Sequence, residues 1–262
     1  MSQNSASVAE VTVHNLTMAY GEFVLQRNLS FQINRGDIFV VMGGSGCGKS
    51  TLMRHLIGLN DPVEGEILYG DESFTRAEPE RRERMLRGVG VLYQSGALWS
   101  SMTLAENVGL VLGEFTDLGP DEIRDVASLK LALVGLKGFE DFYPSEISGG
   151  MQKRAGLARA MSLDPKMLFI DEPSAGLDPI SSRLLDDLIL ELRDSLGTTV
   201  VVVTHELASI FAIGNNSVFL DAESRTMIAQ GPPTELRDHS DNPKVRSFLH
   251  RGEHQVMGSE NG

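Results

Sequence analysis

The segment Gly43-Gly44-Ser45-Gly46-Cys47-Gly48-Lys49-Ser50-Thr51 constrains this chain more tightly than any other, because it satisfies the pattern G-x-x-x-x-G-K-[ST] with every required residue in place. Ahead of it lies Ile38-Phe39-Val40-Val41-Met42, a short apolar run suited to a buried parallel strand. Thr51 to Ile57 behind it has the composition of a helix. Strand, glycine-rich turn and helix in that order gather backbone N–H groups and the positive end of a new helix around one point, which is what holds a phosphate. Lys49 then reaches β/γ-phosphate oxygens and the Ser50 hydroxyl can ligate Mg2+. A glycine-rich turn of no chemical meaning is the competing reading; the completeness of the pattern and its strand-loop-helix setting favour phosphate binding, and with it an ATP-driven protein.

With 262 residues the chain has the length for one large α/β domain, or a domain with an inserted subdomain. Its formal net charge of -13 argues against a nucleic-acid partner, which would be met by a basic stripe, and is read as a solubility feature. Cys47 is the single cysteine, so no internal disulfide forms and a reducing compartment is natural. Met1 to Glu10 lacks an apolar signal core, and no apolar run approaches the ~18 residues of a membrane span. The expectation is a soluble, cytosolic chain.

From Val11 to Phe39 the pattern is β-rich and punctuated by Gly21 and Gly36, with Val11, Val13, Leu16, Leu29, Phe31 and Ile33 as its apolar face. It predicts an antiparallel layer leading into the strand before the phosphate loop. Tyr20 stands at a turn of that layer, where packing is the ordinary role of an aromatic and stacking on a ligand the sharper one. Glu78 to Arg84 is a mixed charge run, read as a solvated helix face. Val89 to Tyr93 is strand-like and ends at Gln94.

Between Thr103 and Met161 the texture turns helical. Leu104, Val108 and Leu112 fall at i, i+4 spacing, and Ile123, Val126, Leu129, Ala132 and Val134 follow the helix start at Gly119-Pro120. The block ends in Ser148-Gly149-Gly150-Met151-Gln152, where Ser148 is a helix N-cap and Met151, Ala155, Ala158 and Met161 form one buried face. Two glycines in a first helical turn cost stability, and make sense where backbone N–H groups approach an anion. Met167 to Glu172 is an apolar strand ending in two carboxylates, which suit holding Mg2+ (Asp171) and activating water (Glu172); a strand-end acidic turn is the equal alternative. Leu184, Leu188, Leu192 and Leu196 mark an amphipathic helix closed by Gly197. Thr198 to Val203 reads as a strand buried on both faces that delivers His205 to its carboxyl end, where phosphate ligands sit in such folds. Asn242, Pro243, Val245, Phe248 and Leu249 predict a short capped helix with one apolar face, packed on its own domain or on a second subunit, and Arg251 to Gly262 a loose tail.

In this order and spacing the motifs resemble the ATP-binding subunits of ABC transporters over nearly the whole chain. The resemblance implies a P-loop NTPase (RecA-like) α/β core with an antiparallel β layer and an inserted α-helical subdomain. It divides one domain, 1–262, into a core (1–94 and 162–240), a helical signature subdomain (95–161) and a C-terminal helix and tail (241–262). Carried over by position, Tyr20 is similar to the adenine-stacking aromatic, Gly43 to Thr51 to the nucleotide-binding loop, and Gln94 to the glutamine that senses Mg2+ and the attacking water. Ser148 to Gln152 resembles the signature that contacts ATP held by the opposite subunit. Asp171 resembles the magnesium carboxylate, Glu172 the catalytic base, Asp178 the D-loop aspartate and His205 the switch histidine. The signature departs from the commonest form at Ile147 and Met151, and that departure is informative. With Gln94 to Trp99, Met102-Thr103, Asp178-Pro179-Ile180 and Asn242 to Leu249, it is similar to the ATPases of MCE-type lipid transporters, the group of the maintenance-of-lipid-asymmetry system.

The resemblance implies ATP and Mg2+ as cofactors, a head-to-tail dimer of two copies, an integral membrane permease docked near 94–107, MCE-domain and small accessory subunits, and a peripheral position on the cytoplasmic face of the inner membrane. Trp99, Leu98 and Met102 are read equally as subdomain core or as the docking surface. Cys47, inside the phosphate loop, is expected to meet maleimide with loss of activity. Two rival classes stand against transport. Soluble cassette ATPases of DNA repair or translation generally carry tandem cassettes or long coiled-coil insertions, and neither fits this length. A GTPase or nucleotide kinase lacks the signature.

Overall fold

The computed structural model describes residues 8–251, which form two compact units: residues up to Met85 together with Thr199 onward, and Leu86–Thr198.

The first unit begins with two long antiparallel strands, β1 (Ala9–Tyr20) and β2 (Phe23–Asn34). The apolar face of β1 breaks its period of two between Val13 and Leu16, yet both are buried. The register shifts there, and Asn15 takes a left-handed φ of 47° in the bulge, which brings the later side chains back to the same face. On the other side of β1 lies β4 (Glu64–Tyr69), followed by β5 (Glu72–Ser73).

A second layer of this unit is built on β3 (Ile38–Gly43), which pairs in parallel with β8 (Thr199–Val203) on one side and β9 (Asn216–Asp221) on the other. Every residue of β3 and β8 is buried, which is why both read as unbroken apolar runs. β10 (Thr226–Gln230) adds antiparallel to β9. Because β3 and β8 run in parallel, the phosphate loop that follows Gly43 and His205 beyond Val203 leave the same edge of this layer, where α1 (Lys49–Leu56) also begins.

Beneath it lie α7 (Leu207–Ile213), α8 (Pro233–His239) and α9 (Pro243–Leu249). Asn242 caps α9 by accepting from the Lys244 N–H at 3.0 Å, with Pro243 in the first turn. Val245 and Leu249 join Val40, Met42, Ile210 and Phe219 in one core, and the Phe248 ring stands edge-on to Phe219 at 5.1 Å. The apolar face of α9 is therefore packed on its own unit, and the subunit-contact alternative loses its premise. Burial of a Val and a Leu is worth about 3–6 kcal/mol. Truncation after Asp241 is expected to lower the melting temperature of the isolated chain by about 10 °C or more; an unchanged melting curve would show that this packing contributes nothing. The expected loose tail, apart from Arg251, lies outside the described residues.

In the second unit β6 (Val89–Leu92) and β7 (Met167–Asp171) pair in parallel. Its helices are α3 (Leu104–Phe115), α4 (Pro120–Leu133), α5 (Gly149–Ala160) and α6 (Pro179–Leu196). The charged helix α2 (Pro79–Leu86) buries no residue, as its charge run predicts. Leu104, Val108 and Leu112 are all buried on α3, whose N-cap Thr103 exchanges hydrogen bonds with Glu106. On α4 the expected face is displaced: Leu129 is 59% exposed and Ala127, Lys130 and Leu131 are buried.

A similar drift occurs on α6, where Leu184 and Leu196 are about half exposed and the buried stripe is Leu185, Leu188, Ile189 and Leu192. A strict i+4 row advances about 40° per step around a 3.6-residue helix, so it enters the buried face and leaves it again. Gly197 closes α6 in the left-handed conformation, φ 68°. No helix among the described residues is long and apolar enough to cross a membrane.

Candidate functional site

The candidate residues divide between the two units. In the first, the phosphate loop leaves buried β3 and turns at Gly43, whose φ is 147°. A Cβ there would lie 2.3 Å from the Leu220 carbonyl oxygen and 2.8 Å from the Cys47 sulfur, so only glycine fits. Gly48, the second obligatory glycine, has φ 99° and would bring a Cβ within 2.9 Å of Leu25. Between them Gly44, Ser45 and Gly46 are exposed, and a Cβ on Gly44 or Gly46 would meet nothing within 4 Å, which leaves room for an anion against the backbone. The Lys49 ammonium donates to the carbonyls of Gly43 (3.0 Å) and Gly44 (3.1 Å) and so sits along the loop it serves. Ser50 and Thr51 follow in the first turn of α1, and the Tyr20 hydroxyl is 3.3 Å from Thr51 Oγ1. Tyr20 is 54% exposed, a ring presented rather than packed. His205, exposed, follows Thr204.

Cys47 is buried, and burial pushes its thiol above the ordinary value, with Lys49 acting against the shift. Burial therefore limits the rate at which the adduct expected to block the loop can form. The side chain turns under the loop, and less of it is thiolate at neutral pH. Maleimide is expected to label the native chain slowly and the urea-unfolded chain quickly; rapid stoichiometric labelling of native protein would show the thiol to be open.

What fixes the loop from below was not anticipated. Gln26, fully buried on β2, donates from Nε2 to the Cys47 carbonyl at 2.7 Å and to the Asp221 carbonyl at 3.0 Å, while its Oε1 is buried without a partner among the described residues. The sequence gives little trace of it: Gln26 follows the apolar run Phe23-Val24-Leu25 as the first of three polar residues, Gln26-Arg27-Asn28.

In the second unit Asp171 is the last residue of β7 and Glu172 the first beyond it, in a left-handed conformation with φ 47°. The loop after them ends at Asp178, which caps α6 by accepting from the N–H groups of Ile180 and Ser181, each at 3.0 Å, and from the Ser181 hydroxyl at 2.5 Å. These bonds, the Ser181 hydroxyl first, hold the carboxyl below its ordinary value. Ser148 caps α5 by accepting from the Met151 N–H at 3.3 Å, and Gly149 has open space where a side chain would stand. Met151 is half-buried at the edge of the helix face formed by Ala155, Ala158 and Met161. The Gln152 amide turns away from the helix start and donates to the carbonyls of Pro144 (2.9 Å) and Ile147 (3.4 Å).

Gln94 lies exposed just past β6. The segment after it is held by two residues that sequence reasoning missed. Arg159 donates to the Gly96 and Ala97 carbonyls. Asn107, fully buried, bonds both the N–H and the carbonyl of Trp99 and also the carbonyls of Met102 and Thr103. Trp99 itself is 58% exposed, so it is no part of a core among the described residues. A further missed residue, Lys153, is buried on α5 with its ammonium on the carbonyls of Glu172 (3.3 Å), Pro173 (2.6 Å) and Ala175 (2.6 Å). No group of three or more His, Cys, Asp or Glu that could hold a metal occurs among the described residues. Ser50, Gln94 and Asp171 nevertheless offer hydroxyl, amide and carboxylate oxygens, the hard donors Mg2+ takes together with phosphate oxygens.

Comparison with known proteins gives a match to the family model described as "ABC transporter" over residues 26–175. The chain is 38% identical over 239 residues to a probable ribonucleotide transport ATP-binding protein, mkl, of Mycobacterium tuberculosis, covering 91% of this chain and 66% of that protein. It thus spans just under two thirds of the length of that relative. It is 36% identical over 249 residues to MlaF of Escherichia coli, named an intermembrane phospholipid transport system ATP-binding protein, covering 95% of this chain and 91% of the relative. Among solved structures, cbiO1 of Clostridium perfringens, part of the ABC transporter complex cbiONQ, superposes with a TM-score of 0.81 at 26% identity, covering 95% of this chain and 99% of that one. A dimeric ATP-binding cassette in a post-hydrolysis state, bound to ADP and Pi, gives 0.76 at 27% identity, covering 85% and 98%. A phosphate loop of this geometry, a capped glycine-rich helix start and these likenesses together show that the chain belongs to the ABC transporter family.

Proposed function

We propose that this chain is the ATP-binding and ATP-hydrolysing subunit that energises a transporter of phospholipids in the bacterial envelope. The observation that carries the reading is the presence, in one chain, of a phosphate loop shaped by left-handed glycines and an exposed, Ser148-capped helix start of the signature type. MlaF supports the phospholipid substrate. A second substrate class, ribonucleotides, is favoured only by the name of the mycobacterial relatives.

In this reading two copies of the chain close head to tail on ATP. Gly43 to Thr51 of one copy hold the phosphates, Tyr20 stacks on the adenine, and Ser148, Gly149, Gly150, Met151 and Gln152 of the other copy complete the site. For Gln152 the support is indirect, since its amide is committed to the loop before α5. Ser50, Asp171 and Gln94 are the residues that would hold Mg2+, which when bound neutralises phosphate charge. Glu172 takes the proton of the attacking water, Lys49 and His205 stabilise charge developing on the γ-phosphate, and Asp178 joins the two copies. The chain sits on the cytoplasmic face of the inner membrane by docking on a permease. The exposed Trp99, on a segment stiffened by Asn107, supports that surface over the core alternative. MCE-domain and small accessory subunits are further proposed partners, and nucleic acid is not.

The test is a pull-down from detergent-solubilised membranes, followed by reconstitution into liposomes with a fluorescent phospholipid. A stoichiometric multi-span partner and ATP-dependent lipid movement are expected. A partner that moves labelled nucleotide instead favours the second reading, and no membrane partner at all removes both.

A further inference from the structure

Four loops of the second unit are gathered by polar side chains of α5. Gln152 takes the carbonyls of Pro144 and Ile147, Arg154 those of Val134 and Gly135, Arg159 those of Gly96 and Ala97, and Lys153 those of Glu172, Pro173 and Ala175. Lys153 differs from the other three in its burial and in its target. It is 6% exposed, and the three N–H donors of its ammonium meet three carbonyl acceptors within a four-residue stretch of chain. A charge is buried in this way only where its donors are satisfied. The stretch it holds begins at Glu172, a non-glycine residue whose φ of 47° is disfavoured for an L side chain and must be imposed by its surroundings. Two turn bonds of its own, from the Ala175 N–H to the Glu172 carbonyl and from the Leu177 N–H to the Ser174 carbonyl, also close the loop.

We propose that Lys153 is a positioning residue for the Glu172 carboxylate, clamping the loop that carries the base to the helix that begins at the signature. The inference rests on the reading of Glu172 as the general base. Its consequence is that the helix start which meets nucleotide and the loop which activates water move as one piece. The side chain of Glu172 is aimed by a backbone that would otherwise sample the commoner right-handed and extended conformations. Burial lowers the affinity of the Lys153 amine for its proton, and the Glu172 carboxylate opposes that shift.

The test uses the full chain as it purifies and follows radiolabelled ATP. Lys153→Met is expected to lower kcat at least tenfold, while KM and the affinity for ATP without turnover stay within threefold. Lys153→Arg, which restores a cationic donor, is expected to recover at least fivefold over Lys153→Met. Turnover by Lys153→Met within twofold of wild type overturns the proposal. So does loss of ATP binding in step with turnover, the pattern of a purely structural lysine, and so does a Lys153→Arg variant as slow as Lys153→Met. If Lys153→Met does not fold, judged by its melting curve, Lys153→Gln decides by the same split between kcat and KM. Glu172→Gln run in parallel separates the two readings. Normal turnover by that variant removes the base assignment, whereas a stalled Glu172→Gln beside a fully active Lys153→Met removes only the role of Lys153.

Discussion

Glu172→Gln is expected to bind ATP as the wild type does and to hydrolyse it about 10²- to 10⁴-fold more slowly. The amide keeps the shape and hydrogen-bonding reach of the carboxylate but cannot accept the proton that water must lose. At 1.36 kcal/mol per tenfold this is about 3–5 kcal/mol of barrier. Because binding is spared, the stalled protein should accumulate as an ATP-filled dimer, visible as a doubling of mass on gel filtration with ATP and its reversal when nucleotide is washed out. A variant that turns over radiolabelled ATP at the wild-type rate would place the base elsewhere. The variant tests a residue whose backbone is already unusual: Glu172 sits one step past the end of β7 at a positive φ, so its side chain leaves the chain in a direction an ordinary strand residue would not take.

Lys49→Ala should fail at an earlier point. The Lys49 ammonium is positioned by the carbonyls of Gly43 and Gly44. Its removal takes away the compensating charge for the β/γ-phosphates in the ground state as well as in the transition state. Loss of one preorganised charged donor is worth about 10²- to 10³-fold in turnover, and here ATP affinity should fall with it. Isothermal titration with ATP, beside the turnover assay, distinguishes the two variants: Glu172→Gln binds and stalls, Lys49→Ala binds poorly. Turnover by Lys49→Ala within a few fold of wild type would sink the assignment of the phosphate loop.

Much of this arrangement was legible in the sequence because the physics that fixes it is local. The continuous apolar runs of β3 and β8, the Asn242-Pro243 start of α9, the Ser148 cap and the Gly197 stop all act within a few residues of themselves. What escaped was of two kinds. On α4 and α6 the apolar residues were found, but the face was aimed wrongly, since the three-residue row read on α4 and the four-residue row read on α6 both slip off a 3.6-residue period, in opposite directions. Gln26, Lys153 and Asn107 escaped altogether. Each is a polar residue without a motif; the partners of Asn107 lie within eight residues of it, in a loop whose shape the sequence does not show, and those of Gln26 and Lys153 are carbonyls that only the fold brings near. Gln26 bonds a carbonyl 21 residues away and another 195 away, and Lys153 reaches 19 to 22 residues along the chain.

The parallel pairing of β3 also sets a timetable for the newborn chain. The strand that ends in the phosphate loop emerges from the ribosome early, yet both of its neighbours, β8 and β9, and the α9 side chains that pack beneath Val40 and Met42 belong to the last quarter of the sequence. At about 5–20 residues per second, β3 waits roughly 10–35 s for partners that lie about 160–180 residues downstream. Throughout that interval a fully apolar strand is present without its sheet. A nascent chain arrested before β9 should therefore be protease-sensitive around the phosphate loop and hold chaperone there, and should become resistant only once α9 has cleared the exit tunnel.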